Sequence, residues 1–173
     1  MLRLRTFGGL SIASDEMEPA KTPARRQLAL LALLAVAGPR LMSREKLFVL
    51  LWPEADTERA RHSLNQTLYS LRRDFGNTLV FATGAELRLN PDTMTTDVAE
   101  FEAAIELGDA ARVAAIYTGP FLGSQPDAAC LAVRGECNAH RVSAMCRRCC
   151  GRCAGRRLSR RGGTYLGPDH RSL

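Results

Sequence analysis

Residues 57–76 read TERARHSLNQTLYSLRRDFG, and they sort into two faces before anything else about the chain is known. With Leu64 as origin and a turn of about 100° per residue, Ala60, Leu68, Leu71 and Phe75 fall in a narrow apolar stripe. Arg59, His62, Gln66, Tyr69, Ser70 and Arg73 lie opposite, with Arg61, Asn65 and Arg72 along one shoulder. The spacing predicts an amphipathic helix whose outer face offers planar, hydrogen-bonding and cationic groups, with Glu58 as its carboxylate.

The segments on either side supply the context. Ser43 is placed to cap a helix that runs to Leu51, with Leu47, Leu50 and Leu51 inward and Arg44 and Lys46 outward. Trp52-Pro53-Glu54-Ala55 breaks it, because proline removes a donor and biases the residue before it away from helix. Asp56 or Thr57 then caps the quoted segment. Two helices joined by a short turn, the second polar outside and apolar inside, form a helix-turn-helix pattern. Leu79 to Ala82, a Thr83-Gly84 turn and Glu86 to Leu89 follow as a β-hairpin closed by Asn90-Pro91. That order, helix-turn-helix then hairpin, is the order of a winged helix.

Upstream, Leu2, Leu4 and Thr6 alternate with Arg3, Arg5 and Phe7, and Leu10 to Ala13 follow Gly8-Gly9, which predicts a small N-terminal hairpin or meander. Thr22-Pro23 and Gly38-Pro39 bracket QLALLALLAV, a helix apolar nearly all round and therefore expected at the buried centre. Its apolar run, Leu28 to Val36, is too short to span a bilayer, and the chain reads as cytoplasmic with no membrane partner. Downstream, Asp97 is placed to cap a helix with Val98, Phe101, Ala104 and Ile105 on one side, and Asp109 another with Val113, Ile116 and Tyr117. This pair has little of its own to bury itself against.

Charge and cysteine divide the chain of 173 residues in two. The net charge of +6 belongs to the end of the chain: residues 1–125 hold 14 Lys and Arg against 15 Asp and Glu. All six cysteines (Cys130, Cys137, Cys146, Cys149, Cys150, Cys153) follow position 125. Beyond Gly123 no helical period can be followed, and the mixture of Arg, Cys, Gly and Ala is what GC-rich DNA yields when translated out of frame. Residues 123–173 are therefore expected to be disordered or to encode no evolved structure; retranslation one base over is the direct test. A zinc site is the competing reading, because Cys146-x-x-Cys149 and Cys150-x-x-Cys153 have thiolate spacing with His140 and His170 nearby. The two pairs abut, whereas structural zinc sites separate them by a loop.

A helix that reads a major groove needs groups that pair with base edges, flanked by cations that hold phosphates. Arg59, His62, Asn65 and Gln66 are the expected base readers, Gln or Asn pairing with adenine and Arg with guanine. Arg61, Tyr69, Arg72 and Arg73 are expected on the phosphates, with Arg44, Lys46 and the hairpin's Arg88 as further contacts. No cofactor, metal ligand or catalytic residue is assigned. His62, His140 and His170 are scattered and no Gly-rich phosphate loop precedes a helix, which argues against an enzyme.

At this point the residues carry a family resemblance. FGGLSI, RRQLALLALLAVAG, MSREKLFVLLWPEAD, the quoted segment, LRLNP, and TDVAEFEAAIELGD with YTGPFL resemble the N-terminal part of bacterial SARP-type transcriptional activators. The resemblance implies an α+β fold in which residues 1–95 form an OmpR/PhoB-type winged-helix DNA-binding domain with an N-terminal β-sheet and a C-terminal wing. It further implies that residues 96–122 begin a bacterial transcriptional activator domain of tetratricopeptide (TPR)-like helices, truncated after one pair. Such a chain would bind double-stranded DNA, contact RNA polymerase and occupy direct repeats as tandem homodimers. Because repeat helices bury their faces only against neighbours, residues 97–122 should dock on the winged helix or fray. The alternative is a protein-interaction or zinc-binding module in which the Cys/Arg-rich tail is functional.

Overall fold

The computed structural model describes residues 1–14 and 23–123, which form a mixed α+β fold with two small sheets of three strands each. In chain order the elements are β1 (Leu2–Arg5), β2 (Ser11–Ser14), α1 (Arg25–Ala37), β3 (Met42–Ser43), α2 (Arg44–Leu51), α3 (Thr57–Phe75), β4 (Val80–Thr83), β5 (Glu86–Leu89), β6 (Met94–Thr96), α4 (Asp97–Glu106) and α5 (Ala110–Ile116).

Helix α1 is the centre of the larger core, with every residue from Ala29 to Ala35 buried. A helix this apolar on all sides must be covered on all sides, and Leu47, Leu51, Leu64, Leu68, Leu71 and Leu87 pack in the same cluster. Its start differs from the sequence expectation. Thr22 lies outside the described residues, and the cap position is Ala24, whose N–H donates to Gln27 Oε1 at 2.7 Å. Gln27 is 5% exposed, and its amide satisfies the N–H of the cap residue itself, the half of a capping box that the third helical residue supplies. Arg26 lies over the Trp52 ring at 5.5 Å and donates to the Leu51 carbonyl, tying the first turn of α1 to the last of α2.

Both sheets contain a strand that the sequence pattern did not reveal. The N-terminal hairpin pairs β1 with β2 antiparallel, and β1 also pairs β6 in parallel, giving the order β2-β1-β6. The second hairpin pairs β4 with β5, and β3 adds to β5 antiparallel in the order β3-β5-β4. Strands of two and three residues are too short to show a period of two.

The α4–α5 pair docks against the N-terminal sheet. Phe7, Val98, Phe101, Ala104 and Val113 form a second apolar cluster, with the Phe7 and Phe101 rings 5.0 Å apart. Asp97 is not the cap of α4: Thr96 is, its Oγ1 accepting from Ala99 N at 3.1 Å. Asp97 sits one position inside and is buried, its carboxylate accepting from Thr6 N (2.6 Å), Thr6 Oγ1 (2.6 Å) and Phe7 N (2.8 Å). The chain after α5 returns beside the end of β1, where Leu122 N donates to Thr6 O at 2.6 Å and Gly8 N to Pro120 O at 3.0 Å. This approach requires glycine at Gly119, where an added Cβ would lie 2.9 Å from the Gly8 backbone. Of the two outcomes expected for residues 97–122, docking and fraying, the described structure has them docked, with Phe7 supplying a contact that the sequence did not single out.

Candidate nucleic-acid interface

Helix α3 is built as its sequence dictates. Asp56 caps it, Oδ1 accepting from Arg59 N at 2.8 Å, and Gly76 ends it at φ 97°, a conformation that favours glycine. Ala60, Leu64, Leu68 and Leu71 are buried and Phe75 half-buried, so one stripe holds the helix to the core. Fully burying each leucine contributes roughly 1.5–3 kcal/mol. Arg59, Arg61, His62, Asn65, Gln66, Tyr69, Arg72 and Arg73 are all exposed on the remaining surface.

The charge on that surface is more balanced than Glu58 alone suggests. Asp56 and Asp74 also contribute carboxylates, and three arginines pair with acids of the same segment: Arg59 with Asp56 (3.3 Å), Arg61 with Glu58 (3.2 Å) and Arg73 with Asp74 (3.1 Å). The hydrogen bond from Arg73 to Asp74, and then the charge of that carboxylate, raise the Arg73 pKa above its ordinary value. Exposed pairs of this kind are worth about 0–1 kcal/mol, so a phosphate can draw the guanidinium groups away. Arg72 and Arg73 stand in the last turn, where cations suit the helix dipole.

Two polar pairs order the middle of the face. Gln66 Nε2 and His62 Nε2 are 3.0 Å apart, one turn along the helix. With His62 protonated on Nδ1, Gln66 donates to the ring and its Oε1 stays available. Asn65 Oδ1 accepts from Arg44 Nη1 at 3.2 Å, and Arg44 Nε also donates to Gly84 O, in the β4–β5 turn, at 3.0 Å. Arg44 thus joins α2, α3 and the hairpin turn. The sequence placed Arg44 outward as a phosphate contact and had no signal for a partner 40 residues away in the turn. Lys46 lies exposed in the first turn of α2. Arg88 is not drawn into this group: it is half-buried on β5, with its guanidinium 5.0 Å from the Phe81 ring.

Among the described residues no three His, Cys, Asp or Glu side chains cluster as metal ligands, and no helix is long and apolar enough to cross a membrane. The cysteine pairs, His140 and His170 lie outside the described residues. No protein-family model matches the chain, and no curated protein matches it.

Proposed function

We propose that the chain is a sequence-specific, double-stranded-DNA-binding transcriptional regulator of the winged-helix type. In this reading α3 enters the major groove and the β4–β5 hairpin runs along the backbone as a wing. The observation that carries it is the uncovered face of α3, where Arg59, His62, Asn65 and Gln66 are exposed together with the phosphate-binding candidates Arg61, Tyr69, Arg72 and Arg73. A major groove about 12 Å wide admits such a helix, and planar amide and guanidinium groups match base edges. The order α1-β3-α2-α3-β4-β5 behind a β2-β1-β6 sheet supports a winged helix over residues 1–95. Activation, contact with RNA polymerase, tandem dimers and a TPR-like origin for α4–α5 follow from the family resemblance, and a cytoplasmic location from the short apolar run of α1.

The test is selection of duplexes from a random pool with the full chain, followed by titration of the preferred duplex at several salt concentrations. Several phosphate contacts make log affinity fall linearly with log salt. Gln66→Ala or Arg59→Ala should relax preference at one base pair by roughly 1–3 kcal/mol, and Arg73→Ala should weaken all sequences alike. A chain that selects no sequence, or whose affinity ignores salt, rejects the reading.

A further inference from the structure

We propose that Arg44 is a positioning residue for base readout: it fixes the Asn65 carboxamide with its amino group toward the groove and ties that orientation to the hairpin turn. The inference rests on the DNA-binding reading above.

Arg44 is the first residue of α2. A cation there has the wrong sign for the helix dipole, so helix stability does not account for it. Its bonds do. The backbone N–H donates to Ala85 O at 2.8 Å, Nε to Gly84 O at 3.0 Å and Nη1 to Asn65 Oδ1 at 3.2 Å. A guanidinium carries five donors and no acceptor, so only the oxygen of Asn65 can face it. The Asn65 amino group is thereby directed to the other side. Because the guanidinium is a rigid plane, the spacing between the turn carbonyl and the Asn65 oxygen is fixed as well. Two side-chain N–H groups hold this arrangement and three remain, enough for a phosphate in addition.

The orientation changes what Asn65 reads. An oxygen and an amino group presented together pair with the N6 and N7 edge of adenine, as the sequence alone suggests. The bond to Arg44 takes one of the two lone pairs of Oδ1 and turns the oxygen toward the guanidinium, so the amino group is the part of the amide offered to a base; as a donor it meets its richest acceptor edge in guanine, with O6 and N7. Asn65 should therefore prefer guanine to adenine at its base step, and the preference should depend on Arg44.

The experiment is duplex selection with the full-length wild type, Arg44→Lys, Arg44→Ala, Asn65→Ala and the Arg44→Ala/Asn65→Ala double variant, with circular dichroism to check folding. Lysine keeps the charge and loses the fork, so Arg44→Lys separates geometry from electrostatics. The expected result is that Arg44→Lys, Arg44→Ala and Asn65→Ala each lower preference for guanine at the same single position by about tenfold. The double variant should lose no more there than either single variant. Guanine preference that survives in Arg44→Lys overturns the inference, as does a uniform loss of affinity in Arg44→Ala with the salt slope reduced by about one and every base preference intact. A wild type that selects no sequence overturns the DNA-binding reading itself, and the inference with it.

Discussion

Arg44 and Asp97 occupy the same station in two similar units and do opposite things. Each follows a short strand, β3 or β6, and each is the first residue of a helix capped by a hydroxyl, Ser43 for α2 and Thr96 for α4. Each bonds a distant part of the chain, Asp97 an earlier part and Arg44 a later one. Asp97 is 5% exposed, and three donors from Thr6 and Phe7 converge on it. Arg44 is half-buried, and its bonds to Gly84 and Asn65 lie at the surface. The difference teaches what burial does to a junction residue. Removing a buried acceptor orphans its donors, so Asp97 is a rigid anchor; water replaces an exposed donor, so Arg44 sets geometry at little cost in stability.

The comparison can be broken at its strong end first. Asp97→Ala should cost about 3–5 kcal/mol, because three buried donors lose their partner at once. Thermal denaturation should show a fall in Tm of roughly 15 °C or more. Asp97→Asn keeps one acceptor oxygen but turns an amide donor toward other donors, and should cost about 2 kcal/mol in a urea titration. A cost below about 1 kcal/mol for Asp97→Ala would remove the contrast. The caps sharpen it: Thr96→Ala and Ser43→Ala should each cost about 1 kcal/mol by the same measurement. Thr96 should be the larger, because it is 6% exposed and its hydrogen bond is the shorter, 3.1 Å against 3.3 Å. The smallest effect belongs to Arg44→Ala, which should change unfolding free energy by no more than about 1 kcal/mol. If Arg44→Ala destabilises as much as Asp97→Ala, the two residues are anchors of one kind.

Much of this architecture was legible because long, strongly periodic elements announce themselves. Helix α3 runs from Thr57 to Phe75 with its stripe buried, and its length gives the 3.6-residue period five turns in which to be seen. The α1 helix had to be central for another reason: apolar on every side, it must be covered on every side. What escaped was local and tertiary at once. Strands β3 and β6 are defined by partners far along the chain, β5 and β1, and by no pattern of their own. Thr96 and Asp97 are adjacent and both can cap, aspartate by propensity the better, and the placement of Thr6 and Phe7 draws Asp97 inward and leaves the cap to Thr96. On the candidate interface, side-chain type marked the face of α3, whereas the pairing of three arginines with acids depends on rotamers. The bond from Arg44 to Asn65 depends in turn on how the hairpin folds back.

The parallel pairing of β1 with β6 has a consequence for the order of events during synthesis. Thr6 and Asp97 stand 91 residues apart in the chain, so β1 leaves the ribosome with only β2 to pair with and waits for β6 until the helices between them have been made. A sheet closed by so distant a contact raises the contact order and slows folding relative to the helices it spans. The β1 strand is thus made early and its sheet completed late.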